Sequence, residues 1–430
     1  MDLHKLAIGG LISGLCTNAF ASGFAISGKS VSSLGQALAG TTVLAEDASV
    51  VYDNPAAMRL LEGRHFSALL HTIPADIHFD DGASTTTGDG SEQVDKIHFV
   101  PGLYYVNTLN DEFSFGLGIY SPFGLGVEYA DNWEGRYHST NSELRTINIS
   151  PAIAFSASDK LNIGFGVDLQ YAKAELKKAV DFGTICYGFT TAATCVANGL
   201  FPEQNDGSNT LTGSSWAAGY SLGLTYDLSE ATRLGLSFHS ATRHDVEGNS
   251  EFDGVHPALA STFTNSGASL TLMLPESLSL GMRHTLSSRL DVMADITRTR
   301  WSRYDQLVVK FDNGLPTAVE ENNWKDSNRY SIGMNYRWQD DWLVRAGVTY
   351  DMTPIPDAEH RSPRVPDSNK ISLGLGSKVA LSKTQDLDMA VFYTLPGTAD
   401  INNTDSLGHT LNGSYKVQTT YLSVQLNWKL

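Results

Sequence analysis

The chain has 430 residues, with 47 acidic and 30 basic side chains and a formal charge of −17. That balance disfavours a nucleic-acid binder, and the mean hydropathy of −0.17 excludes a helical membrane protein. It does not exclude a transmembrane β-barrel, in which an apolar residue at every second position averages against polar neighbours.

The N-terminus has the form of an export signal. Lys5 precedes an uncharged stretch from Leu6 to Gly28, whose apolar centre, Leu6–Leu15, is too short to span a bilayer as a helix. Ala19-Phe20-Ala21 supplies small residues at −3 and −1, which predicts cleavage after Ala21. The alternative is a buried N-terminal helix. Cys16 would leave with the signal, because Leu15 is too large for a lipobox. Cys186 and Cys195 remain, and an oxidising periplasm favours their disulfide over two free thiols or a metal site.

Alternation dominates the rest of the chain. In Trp216–Leu228 the even positions are Trp, Ala, Tyr, Leu, Leu, Tyr and Leu, and the odd ones are small or polar. Tyr330–Trp338 and Leu422–Leu430 repeat the pattern. Period two predicts strands with one apolar and one polar face. In chain order they fall near 64–80, 95–108, 111–123, 142–156, 159–176, 214–228, 231–247, 267–286, 289–311, 325–338, 341–354, 367–382, 385–400 and 414–430. Short turns at 109–110, 157–158, 229–230, 287–288, 339–340 and 383–384 alternate with long polar loops. The expected fold is all-β: a 14-stranded antiparallel transmembrane barrel with short periplasmic turns. A soluble β-sandwich explains the alternation but not the signal and loop asymmetry together.

Trp338, Trp342 and Trp428 near the turns suit a membrane–water boundary. Gly164, Gly166, Gly219, Gly223, Gly374 and Gly376 have lumen parity, and strand glycines in such number imply that another backbone approaches them. The occupant expected is the segment 22–63, which gives the division 1–21 signal, 22–63 plug and 64–430 barrel.

An ordered series of motifs then resembles one family. It runs from Gly23-Phe24-Ala25-Ile26 through Ala45-Glu46-Asp47-Ala48-Ser49 to Asn54-Pro55-Ala56. It continues with Leu274-Pro275-Glu276, Trp301-Ser302, Asp341-Trp342, Val344–Gly347, Asp351–Pro356 and Pro366-Asp367-Ser368. The series resembles the FadL-type outer-membrane transporters of long-chain fatty acids and other hydrophobic compounds. The resemblance implies an N-terminal hatch, ligand capture at external loops, an apolar pocket, and lateral exit beside a kink in the third strand.

Residues can be set against that scheme. Asn54, Pro55 and Ala56 form either a plain turn or a gating element in which the Asn54 amide reaches the wall. In strand three, Gly116 and Gly118 are the expected kink, while Pro122 either breaks the wall or simply ends the strand. Phe182, Phe189, Phe201, Phe252 and Phe263 lie in the loops 177–213 and 246–266, where they either bind ligand or pack on one another. Lys173 aligns with a basic family position, yet its parity matches lipid-facing Leu161, Phe165 and Leu169, which suits snorkelling to lipopolysaccharide. Lumen-parity Arg283, Arg329, Arg337, Arg345 and Lys378 are expected to pair with Asp168, Asp291 and Asp295.

No catalytic, phosphate-loop or metal motif occurs, so no enzyme activity or cofactor is expected. The expected role is passive uptake of long-chain fatty acids through the outer membrane of a Gram-negative bacterium. The expected protein is a monomer, set in outer-membrane lipid and lipopolysaccharide and inserted by the barrel assembly machinery. Aromatic-hydrocarbon uptake on the same fold, a barrel lipase or protease, and a hydrophilic porin are the alternatives.

Overall fold

The computed structural model describes residues 23–430. The expected signal, 1–21, lies outside them. Fourteen antiparallel strands close into a barrel: β1 (Arg64–Asp81), β2 (Ser91–Thr108), β3 (Phe113–Tyr120, resuming as Gly124–Glu128), β4 (Asn141–Ser158), β5 (Leu161–Asp181), β6 (Asp206–Asp227) and β7 (Thr232–His239 and Thr242–Asp253). They continue as β8 (Ser266–Leu274 and Ser277–Ser287), β9 (Leu290–Thr299 and Gln306–Phe311), β10 (Ala318–Glu321 and Ser327–Gln339), β11 (Trp342–Asp351), β12 (Lys370–Ser382), β13 (Gln385–Thr394 and Gly397–Thr404) and β14 (Thr410–Lys429). The ladder of β1 with β14, from His65↔Lys429 to Asp81↔Gly413, leaves the sheet without a free end.

The pleat fixes which residues meet lipid. Outward positions such as Phe165, Leu222, Leu280, Ile332, Leu375 and Val424 are all at least 42% exposed and form an apolar belt. Leaving that area in water would cost about 25 cal/mol per Å², so the belt requires a bilayer. Trp338 stands 6.4 Å from Trp342, and Trp428 stands 5.5 Å from Phe66, all near the short turns.

The strands depart from the sequence pattern in two ways. β5 and β6 stay paired out to Asp181↔Asp206, well past the end of the apolar alternation. The ladder continues as a ribbon whose faces no longer meet lipid. Six strands are interrupted on the long-loop side, and Pro275 and Pro396 lie at two of those breaks, where a missing N–H ends the ladder.

β3 breaks at 121–123. Opposite it, Tyr120↔Asn148 and Gly124↔Arg145 leave one extra residue on β3, which is a bulge. The Phe123 amide donates to Thr146 Oγ1 at 3.0 Å, and Thr146 Oγ1 donates back to the Phe123 carbonyl at 2.6 Å. The ladder between β2 and β3 covers only Leu103↔Ile119 to Thr108↔Ser114. Pro122 therefore lies inside the interruption and does not end the strand. Gly116 and Gly118 lie in the regularly paired part, contrary to the expectation that they form the kink.

Residues 23–63 lie inside the wall. They form two short helices, α1 (Val31–Gly35) and α2 (Val50–Asp53), and a 3₁₀ turn, Pro55–Leu60. Ser30 caps α1, its Oγ accepting from the Ser33 amide at 3.1 Å. Val31, Leu34, Leu38, Val51 and Met58 are all buried against wall residues such as Ile73, Val100 and Tyr104.

Glycines make this fit possible. A Cβ at Gly164 would overlap the backbone of Pro55 and Ala56, and one at Gly223 would overlap Asn54 Oδ1. Gly235 faces Thr42, Gly347 faces Gln36, and Gly374 faces Leu34 in the same way. Gly166 and Gly219 differ: the atoms nearest to them belong to Ser221, Ser240 and Thr242 of the wall.

Candidate functional site: an apolar cleft against the N-terminal segment

Two sets of contacts hold the segment. Near the short turns, Arg345 is 1% exposed and donates to Glu46 Oε2 from Nε at 2.9 Å and from Nη2 at 2.6 Å. Its Nη1 donates to Asp388, whose other oxygen accepts from Asn427 Nδ2 at 2.7 Å. Lys378 donates to the Glu46 carbonyl at 3.1 Å. Asp295 accepts from the Gly40 amide, and from Thr41 Oγ1 at 3.2 Å and Thr42 Oγ1 at 3.1 Å. Three of the lumen charges, Arg345, Lys378 and Asp295, thus bind the segment, while Arg345 and Lys378 also pair with Asp388 and Asp386 of the wall. Arg283 does approach Asp291, at 3.9 Å, while Asp168 accepts from Tyr120 Oη at 2.9 Å.

Asn54 is fully buried and bridges the two bodies. Its Oδ1 accepts from the Ala56 amide at 3.1 Å, capping the turn that Pro55 opens. Its Nδ2 donates to the Thr42 carbonyl at 2.6 Å and to the Leu224 carbonyl of the wall at 3.0 Å.

On the long-loop side the contacts are aromatic. Gly23 has φ +65° and sits against Trp301 and Trp324, where no side chain fits. Phe24 follows, with ring centroids 4.8 Å from Trp301 and 5.3 Å from Tyr304, both edge-on. The break in β3 receives this stretch: the Ile26 amide donates to the Pro122 carbonyl at 3.0 Å, and the Gly124 amide donates to the Phe24 carbonyl at 2.9 Å. Asp367 accepts from the Gly23 amide at 3.0 Å.

Beside Phe24 opens a cleft with about 570 Å³ of free space, its mouth included. Leu125, Leu144, Leu176, Leu270, Leu272 and Leu307 make it apolar. One guanidinium lies on its edge. Arg364 donates to Ser142 Oγ at 2.7 Å, Ser139 Oγ at 3.2 Å and the His138 carbonyl at 2.8 Å, and meets Glu320 at 3.4 Å. Glu143, Glu320 and Asn322 share that polar edge. A leucine-lined trough with a polar edge accepts an amphiphile or a hydrocarbon.

None of the five loop phenylalanines lines this cleft. Phe182 is fully buried in its own cluster with Cys186, Cys195 and Leu200, and Phe252 and Phe263 pack on it. Phe182 stands 5.1 Å from Phe263, which stands 5.5 Å from Phe252. Phe189, 72% exposed, and Phe201 face outward. The Cys186–Cys195 disulfide forms and staples the two short helices of this loop, Phe182–Phe189 and Ala192–Ala197. Lys173 is exposed on the outer face, while Ala174 and Leu176 turn inward to the cleft. Sequence reasoning missed Arg364 and the setting of Phe24. A cation between Pro363 and Pro366 in a loop was the available signal.

The outer mouth is cross-linked by charge. His409 contacts Asp405 at 2.9 Å and Asp181 at 3.2 Å, and stacks on Tyr137 at 4.0 Å. Burial opposes its charge, but the two carboxylates outweigh burial and hold the imidazole up at about 9.

Comparison with known proteins agrees with this architecture. The family model described as outer membrane protein transport protein (OMPP1/FadL/TodX) matches residues 12–430. A long-chain fatty acid transport protein of Escherichia coli O6:H1 is 28% identical over 409 residues, covering 90% of each chain. Outer membrane protein P1 of Haemophilus influenzae is 28% identical over 400 residues, covering 87% of this chain and 86% of its own. Among solved structures, a Pseudomonas aeruginosa FadL homologue superposes with a TM-score of 0.85 at 21% identity, covering 95% and 99% of the two chains. The Pseudomonas putida toluene transporter TodX superposes with a TM-score of 0.73 at 20% identity, covering 95% and 100%. With the apolar belt and the closed fourteen-stranded wall, these matches place the chain in the OMPP1/FadL/TodX family of transport proteins, as a barrel of the Gram-negative outer membrane and not an enzyme.

Proposed function

We propose that this barrel takes up long-chain fatty acids passively. The observation that carries this reading is the fixed cation Arg364 on the polar edge, shared with Glu143 and Glu320, of a leucine-lined cleft that Phe24 partly walls; a ligand carboxylate would compete with Glu320 for it. A chain lying in the cleft meets leucines, its carboxylate reaches Arg364, and its far end presses on the N-terminal segment. Displacing that segment, which turns about Asn54-Pro55-Ala56, would open a path to the interruption of β3 at Pro122. From there the ligand passes sideways into the membrane and never crosses water. External loops, with exposed Phe189 and Phe201, make the first contact. The relatives named as long-chain fatty acid transport proteins support the substrate class.

A second reading, uptake of monoaromatic hydrocarbons, draws on the ring cluster of Phe24, Trp301, Tyr304 and Trp324. Growth of a transporter-null strain on oleate and on an alkylbenzene separates the two. We expect growth on oleate, and Arg364→Ala lowering oleate uptake by about tenfold for one lost charge-assisted hydrogen bond. Growth on alkylbenzene alone would establish the second reading.

A further inference from the structure

Two histidines lie on the lumen side of β1 and β2 beside the interrupted ladder. His71 pairs across with Val100, and His98 pairs across with Ile73, which makes the two histidines diagonal neighbours on one face. Each is 1% exposed. His71 Nδ1 shares a hydrogen bond with Ser423 Oγ at 2.7 Å. His71 Nε2 and both ring nitrogens of His98 have no partner.

The location gives these nitrogens a use. His98 stands five residues beyond Leu103, the last rung that β2 shares with β3. The N-terminal segment is anchored to the same patch, where the Ser27 amide donates to Tyr421 Oη at 3.2 Å and Tyr104 Oη donates to the Lys29 carbonyl at 2.9 Å. Tyr421 also meets the His71 ring edge-on at 6.1 Å. Outside the same stretch, Ile97 is 56% exposed and Phe99 is 38% exposed, an apolar exterior for a hydrocarbon tail.

We propose that His71 and His98 form a station for the carboxyl group of an amphiphile passing from the cleft to the opening between β2 and β3. The inference rests on the uptake reading above. A neutral imidazole offers one N–H donor, which a carboxylate oxygen accepts, and one acceptor nitrogen, which a protonated carboxyl group can also satisfy. A buried polar group left unpaired is costly, so a headgroup that satisfies it is favoured over a hydrocarbon that does not. The pair therefore selects acids over hydrocarbons of equal length.

The test uses the full chain in a transporter-null strain and the initial uptake of labelled oleate and labelled 1-octadecene. In His71→Leu/His98→Leu the ratio of oleate to octadecene uptake is expected to fall about tenfold, with octadecene uptake unchanged. His98→Asn, which keeps hydrogen-bonding groups, should hold the ratio within about threefold of wild type. If the double variant fails to reach the outer membrane, His98→Phe carries the same expectation. An unchanged ratio, or an equal fall for both compounds, overturns the station and leaves the fatty-acid reading standing. A wild-type chain that does not favour oleate over octadecene overturns both.

Discussion

The two ends of the lumen hold the same segment by opposite means. Toward the short turns, wall and segment meet through bare backbone at glycines and through a buried ion network around Arg345, Glu46 and Asp388. Toward the long loops they meet through rings and leucines around Phe24. The first kind of contact is directional and specific. The second is tolerant in shape, and an apolar ligand can replace its ring and leucine contacts, though not the backbone hydrogen bonds of Gly23, Phe24 and Ile26 beside them. Under the proposed uptake route, the difference teaches where displacement would begin: at the end whose apolar contacts a hydrocarbon chain can imitate.

Breaking the ionic end should have the largest effect. Arg345→Ala leaves Glu46 and buried Asp388 without their guanidinium, at a cost of about 3–5 kcal/mol. Thermal unfolding of the detergent-purified protein should register that loss, and proteolysis within 23–63 should accelerate. A wild-type melting curve would show that the network holds nothing. A smaller effect is expected from Gly223→Ala, whose Cβ would overlap Asn54 Oδ1, at about 1–3 kcal/mol for overpacking. Proteolysis of the segment should again rise, with no change in the barrel's own melting.

The smallest effect belongs to the mouth and sharpens the contrast through pH. The folded protein holds His409 charged up to about 9, above its ordinary 6.5. Its stabilisation is therefore complete below about pH 6.5 and is lost as pH rises through 9. Hydrogen exchange in 129–140 and 405–409 should quicken between pH 6 and pH 10 beyond the intrinsic rate, while exchange around Arg345 does not. His409→Gln should abolish that dependence, and a dependence that survives it would assign the transition to another group.

The sequence was legible where one face of a strand meets lipid. There the bilayer imposes period two, and the fourteen strands follow in order. Legibility faded where β5 and β6 leave the membrane, because no apolar face is required beyond it. Gly116 was misread for a related reason. It is small because Val51 and Met58 press on it, so it reports an occupant of the lumen and not a bend. The loop aromatics were ambiguous in principle, since composition does not tell rings that pack on a disulfide from rings that wait for a ligand. The cleft was hidden because parity gives the face of each residue but not its height. Leu125, Leu272 and Arg364 meet only once the barrel has closed.

The glycine contacts carry one more consequence. Where backbone rests on backbone there are no rotamers through which a contact can slacken. Seated backbone to backbone on Gly164, Gly235, Gly347 and Gly374, the segment is expected to have no half-loosened position against the wall. It is either in register or off, so permeation past it is expected to come in discrete events and not as a graded leak.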